Sequence, residues 1–185
     1  PTVFDYQVRA GALAADSWYR QIDEQGSRFV GEGCHFVDTA SWWLGVDPID
    51  VIATATPDDP DNLHCTLRYA DGSLATISYL TSPAPRRYPK EVITIHAAGN
   101  AARFTNFSGY DIWIGGRRRP RRTLTGVDKG QAAQMAAFLD AVVLGAPMPI
   151  PFASLAATTD ATFAAHRSAA SGERVQVRTG STPSA

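Results

Sequence analysis

Apolar and polar residues alternate along Val3 to Arg9, and again along Ile49 to Thr56, Leu63 to Tyr69 and Leu74 to Leu80. A period of two sends successive side chains to opposite faces, so each run predicts a half-buried strand. Asp71-Gly72, between the last two, is a two-residue hairpin signal. Beyond a proline-rich loop, Ser82 to Pro89, further strands are expected at Val92 to Ala97, Ala102 to Phe107 and Tyr110 to Ile114. Gly115-Gly116 opens a basic stretch leading to Thr123-Leu124, and Val175-Gln176-Val177 reads as a last short strand.

Three segments switch to a helical period. The first starts near Gly31 and reaches Leu44, after a loop from Gly11 to Ser27 that holds Trp18 and Tyr19. In the second, Ala132, Met135, Ala136, Leu139, Val142 and Val143 recur at helical spacing, with Asp128 as cap and Gly145 with Pro147 as stop. Ser154 can cap the third, which ends at Ser171-Gly172. Consecutive strands joined by tight turns pair antiparallel. The predicted class is therefore α+β: an open, predominantly antiparallel sheet with helices packed on one face. The other face is left to solvent or a partner. It is expected to carry Tyr79, Tyr110 and Trp113 and to serve as a self-association surface.

The first helix carries the chemistry. Val30, Cys34, Phe36, Val37, Ala40, Trp42, Trp43 and Leu44 make it apolar almost all round, which predicts burial. Glu32, His35 and Asp38 nevertheless recur three apart and share one face. Burying three ionisable groups is costly unless they are paired or face a wet crevice. A lone histidine there would read as a satisfied core residue. Three aligned ionisable residues behind a glycine-flanked entry, Gly31 and Gly33, read as a site.

Composition narrows the picture by exclusion. A chain of 185 residues is one ordinary domain with room for a core, expected here at 1–178 with a frayed tail at 179–185. A net charge of −1 offers no general attraction to nucleic acid or membrane. No apolar run approaches a bilayer span, and no secretory signal is present. Only Cys34 and Cys65 occur, without CxxC spacing, so a reducing, cytoplasmic setting is expected. Abundant alanine, and arginine far in excess of Lys90 and Lys129, resembles bacterial composition. The chain opens directly on a strand pattern at Pro1, which reads as a piece of a longer protein.

Other conspicuous residues carry less. Arg117-Arg118-Arg119-Pro120-Arg121-Arg122 has no interleaved aromatics and is expected to be a solvated hairpin. His64, His96 and His166 sit singly, so no metal is expected. Cys34 and His35 are consecutive on a helix and point about 100° apart, a poor geometry for a dyad; Cys34 is read as apolar filler.

Gly26-Ser27-Arg28-Phe29-Val30-Gly31-Glu32-Gly33-Cys34-His35-Phe36-Val37-Asp38, followed by Trp43-Leu44-Gly45, resembles the helix motif of the Gfo/Idh/MocA oxidoreductases. Phe138-Leu139-Asp140-Ala141 with Gly145 and Pro149, and Ser168-Ala169-Ala170-Ser171-Gly172-Glu173-Arg174-Val175, resemble later segments of the same family. The resemblance implies a substrate-binding and oligomerisation domain without its Rossmann half. No G-x-G-x-x-G follows a strand, so NAD or NADP, and the family's catalytic lysine, would belong to the absent half. It implies an oxidoreductase acting on a sugar or polyol-like alcohol or ketone. The alternative is a non-catalytic ligand-binding and oligomerisation module of the same fold.

Within that resemblance His35 is the expected proton donor and acceptor. Glu32 is the candidate to orient the imidazole. Gly31 departs from the pattern, because the family often has an aspartate four residues before the histidine. Trp18, Tyr19, Arg28 and Asp38 are expected substrate contacts: aromatic faces stack on sugar rings, and arginine binds carboxylates or hydroxyls. For Asp38 a hydrogen-bonded packing role competes, and for Trp18 a plug onto the core.

Overall fold

A computed structural model describes residues 1–14, 16–20, 27–83, 85–122, 127 and 129–178. The chain begins with β1 (Thr2–Arg9), a 3-10 turn (Trp18–Arg20) and α1 (Arg28–Leu44). Seven strands follow: β2 (Pro48–Thr56), β3 (Asp59–Tyr69), β4 (Leu74–Leu80), β5 (Glu91–Ala97), β6 (Asn100–Thr105), β7 (Gly109–Ile114) and β8 (Arg117–Arg122). Helices α2 (Gln131–Leu144) and α3 (Phe152–Ser171) precede a short β9 (Val175–Gln176). The strands form one 9-stranded sheet in the order β8-β7-β6-β5-β1-β4-β3-β2-β9. Every pairing is antiparallel except β1 with β4, which is parallel. The open α+β architecture expected from the strand and helix order is the one observed.

One face of the sheet is the core. Phe4, Tyr6 and Val8 of β1, Ala75, Ile77 and Tyr79 of β4, and Leu63, Cys65 and Leu67 of β3 are buried there. Phe29, Phe36, Val37 and Ala40 of α1, with Ala161, Ala164 and Ala165 of α3, close over them. The alanines let α3 lie near both α1 and β2. Ser168 ties it down, accepting from Ala53 N at 2.9 Å and donating to Glu173 O at 2.6 Å.

Several expectations change. Helix α1 begins at Arg28, not Gly31, because Ser27 Oγ accepts from Val30 N at 3.1 Å and the Asp61 carboxylate accepts from Arg28 N and Phe29 N. The first-turn amides are thus satisfied partly from β3, which no local pattern encodes. Nor is α1 buried all round: it packs on the sheet and on α3, and Gly31, His35 and Trp42 are exposed.

Tyr79 and Tyr110 face the helices, not the open side. Tyr79 is fully buried against Phe29 and Phe36, and Tyr110 meets Phe104, which meets Trp43. The open face instead presents Gln7, Thr66, Thr76, Ser78 and Thr94 among Val3, Ile52, Leu74 and Trp113, a more polar surface than expected. The arginine run is solvated throughout, as expected, and forms the edge strand β8. Charged edge strands resist pairing with other chains.

The closing helices also differ. Only Ala141 of α2 is buried, while Met135, Phe138, Leu139, Val142, Val143 and Leu144 are exposed, so α2 does not pack on the sheet. Its expected cap, Asp128, lies outside the described residues, as do Thr123-Leu124 and the 179–185 tail. Pro151, not Ser154, precedes α3; the Ser154 hydroxyl donates to Asp47 Oδ1 at 2.7 Å instead. Among the described residues no helix is long and apolar enough to cross a membrane.

Candidate functional site

The site grows from the start of α1. With its amide held by Asp61, Arg28 points its guanidinium back at the preceding loop, donating to Gly11 O at 2.9 Å and Ala10 O at 3.2 Å. Its Nε reaches Glu32 Oε1 at 3.3 Å, one turn along the helix. The Tyr79 hydroxyl donates to Glu32 Oε2 at 2.6 Å. Burial first, and then Glu32, push the Tyr79 phenol well above its ordinary range, so it stays a donor at neutral pH.

Glu32 therefore has both oxygens engaged, with Arg28 and Tyr79. Its geometry places it in a network that braces the loop after β1, and no hydrogen bond joins it to His35 among the described residues. His35 is exposed, on the same outward face as Gly31 and Trp42. Asp38 is the carboxylate electrostatically coupled to it: burial raises the Asp38 carboxyl, His35 opposes that rise, and Asp47 adds to it. Asp38 lines a cleft of about 310 Å³ with Ser41, Trp42 and the Pro149–Pro151 segment.

The loop before α1 lies over the helix. Tyr19 stacks on Trp18 with ring centroids 3.9 Å apart. A Cβ built on Gly31 would sit 3.7 Å from Tyr19 Cε1 and 3.9 Å from its hydroxyl oxygen. The phenol thus lies on bare helix backbone, with Trp18 exposed beside it. Tyr19 and Arg28 also border a polar cleft of about 430 Å³ that reaches Asp58, Asn62 and Ser82. The structure so gathers Tyr19, Arg28 and Glu32 at one end of α1, with Trp18 beside them. His35 follows one turn on, and Asp38 stands at a second cleft beyond it.

A second network escaped the sequence reading. Tyr6 OH donates to Glu91 Oε2 at 2.7 Å, and Lys129 Nζ donates to Glu91 Oε1 at 2.6 Å while lying 5.1 Å from the Phe107 ring centroid. Phe36, the neighbour of His35, packs between the two tyrosines, its ring centroid 5.1 Å from Tyr6 and 5.9 Å from Tyr79. Tyr6, Glu91 and Lys129 lie far apart in sequence and carry no shared motif; only strand parity marks Tyr6 as inward-facing.

Burial raises the Cys34 thiol above its ordinary value, which works against a nucleophilic role. Cys65 is wholly buried and pushed up to about 12. Among the described residues no three His, Cys, Asp or Glu converge as a metal site would require. Among the described residues no glycine-rich turn leads from a strand into a helix N-terminus, the usual cradle for a dinucleotide pyrophosphate.

Among curated proteins none matches the chain. Solved structures do. A levoglucosan dehydrogenase in complex with NADH and levoglucosan superposes with a TM-score of 0.79 at 18% identity, over 96% of this chain and 58% of that one. An aldose-aldose oxidoreductase from Caulobacter crescentus gives 0.72 at 16% identity, over 95% and 55%. An oxidoreductase from Agrobacterium radiobacter, in complex with NAD+, L-tartaric acid and magnesium, gives 0.71 at 18%, over 94% and 56%. At such identity the likeness is one of fold, and the chain spans little more than half the length of these relatives. The GFO/IDH/MocA C-terminal domain family matches residues 1–103, more than half of the sequence. With that match, and with the nine-stranded sheet under an α1 that bears His35, the chain belongs to the GFO/IDH/MocA family, as its C-terminal domain.

Proposed function

We propose that this chain is the substrate-binding domain of an NAD(P)-dependent oxidoreductase acting on a sugar or polyol-like alcohol or ketone. The observation that carries the reading is His35: a solvent-facing imidazole on a helix otherwise anchored in the core, flanked by a braced loop of aromatic residues. The chemistry a nicotinamide supplies is hydride transfer, and its binding lies outside this chain. The chain's own part is to hold the alcohol or carbonyl and to move its proton. The His35 ring takes the hydroxyl proton in oxidation and returns it in reduction. Trp18 and Tyr19 offer aromatic faces to a sugar ring, while Arg28 and Glu32 hold their loop in place. Asp38 steadies the charge that His35 acquires.

The relatives' ligands support the substrate class: levoglucosan, L-sorbose and L-tartaric acid are all polyhydroxylated. The reading includes a homo-oligomer, paired through the open sheet face or through the exposed apolar side of α2, and a cytoplasmic setting in keeping with the free Cys34 and Cys65. It also includes an inactive isolated domain. Calorimetry of this chain with NADH and NADPH is expected to show no binding; micromolar affinity would refute the two-domain reading. In the full chain, turnover of levoglucosan, L-sorbose, myo-inositol or D-glucose with NAD+, NADP+ or their reduced forms tests the activity. Sugar binding with no turnover of any of them would favour the non-catalytic module.

A further inference from the structure

The Tyr19 ring occupies a particular place. It lies over Gly31, and Gly31 stands four residues before His35, on the same exposed face of α1. Residues so spaced are neighbours on a helix surface, separated by about 6 Å along the axis. A Cβ at position 31 would stand in ordinary van der Waals contact with the ring, so the ring lies close over this turn of the helix. The ring stacks on Trp18, within 24° of parallel. The loop that delivers it is anchored at Ala10 and Gly11 by Arg28, itself fixed by Glu32 and Tyr79. A loop tyrosine is thus carried to the helix surface, with its hydroxyl oxygen 3.9 Å from where a Cβ of residue 31 would be.

We propose that the Tyr19 hydroxyl, seated over Gly31, is a second oxygen-binding group of the His35 site. This rests on the reading of His35 as the proton-transfer residue. A phenol can donate to a carbonyl oxygen or accept from an alcohol, so it suits both the oxidised and reduced substrate. One turn from the imidazole, it binds the reacting oxygen or its neighbour on a polyol, and so selects substrates with adjacent oxygens. The stacking partner Trp18 then serves to orient Tyr19 as well as to meet the substrate.

The test compares Tyr19→Phe with Tyr19→Ala in the full chain, using whichever of levoglucosan, L-sorbose, myo-inositol and D-glucose the unaltered protein turns over fastest. Phenylalanine keeps the stack and removes only the hydroxyl. The expected result is a KM raised roughly tenfold, as for loss of one hydrogen bond, a lower kcat, and an unchanged melting temperature. Tyr19→Phe kinetics equal to those of the unaltered protein, with Tyr19→Ala alone impaired, would reduce Tyr19 to a stacking platform and overturn the proposal while leaving the role of His35 intact. If the unaltered protein turns over none of the four, the reading of His35 fails and this proposal fails with it.

Discussion

The Tyr79 hydroxyl donates to Glu32 Oε2 at 2.6 Å, which joins the second turn of α1 to the fourth strand across 47 residues of sequence. It also commits Glu32 to bracing α1 and its loop, away from His35. Removing the donor with Tyr79→Phe is expected to cost about 1.5 to 3 kcal/mol, because the acceptor is charged. Glu32→Gln keeps an acceptor but loses the charge that holds Arg28. Its effect on catalysis is expected in KM, through the Gly11–Tyr19 loop, more than in kcat. Denaturant unfolding of both single variants and the double variant gives the coupling directly.

His35 is exposed, and among the described residues its ring makes no hydrogen bond or ion pair. His35→Ala is therefore expected to change stability by no more than about 0.5 kcal/mol, as for ordinary surface positions. In the full chain it should slow the chemical step roughly a hundred- to ten-thousand-fold, the usual contribution of a general acid–base group. Single-turnover rates set against melting temperatures check both halves. A variant that unfolds but reacts normally while folded would mean a structural histidine.

Gly33 lies under Phe29. A Cβ there would come within 2.9 Å of Phe29 Cζ, and Phe29 is itself fully buried against Tyr79. Alanine gains about 1 kcal/mol in helix propensity over glycine. Overpacking a filled core costs about 1 to 3 kcal/mol. The expected net effect of Gly33→Ala is a loss of stability, read from the urea midpoint at unchanged slope.

Asp50 is fully buried between Arg68 and Arg174. Hydrogen bonding from Arg68, and then from Arg174, holds its carboxyl below the usual carboxylate range. A group with a depressed folded-state pKa contributes stability above its unfolded-state value, about 3.9 for aspartate. That contribution is lost as pH falls through the folded value. Unfolding midpoints of the unaltered chain and Asp50→Asn should differ by a constant amount above about pH 5 and converge in acid. A difference that persisted at the lowest pH would mean packing, not charge, holds the residue.

Helix α2 exposes Phe138, Leu139, Val142, Val143 and Leu144, with Val143 80% accessible. Contiguous apolar surface of this kind drives association. This chain by itself is expected to sediment as more than a monomer. Phe138→Ser with Val143→Lys should return it toward monomer at unchanged melting temperature; no change in sedimentation would leave the open sheet face as the associating surface.

What the sequence determined by itself was local. Period-two runs, with Asp71-Gly72 between two of them, placed β3 to β6, because strand alternation and turn chemistry are carried by adjacent residues. The same parity puts Tyr79 in step with Ala75 and Ile77, so its inward direction was legible and the expectation of an outward Tyr79 missed it. The three-residue spacing of Glu32, His35 and Asp38 was legible for a similar reason, but spacing did not make them one site: Glu32 turns to Arg28 and Tyr79, His35 faces out with Gly31 and Trp42, and Asp38 stands at a separate cleft. Only the tertiary structure decided their partners. Asp61 caps α1 from β3, Tyr79 takes Glu32 from β4, and Lys129 meets Glu91 from beyond β8. Such pairs depend on strand order and on where β1 enters the sheet, and no window of sequence holds both members. The same limit explains α2. Helical spacing showed that its apolar residues form a helix, but with such residues nearly all round it, spacing could not say which surface they cover.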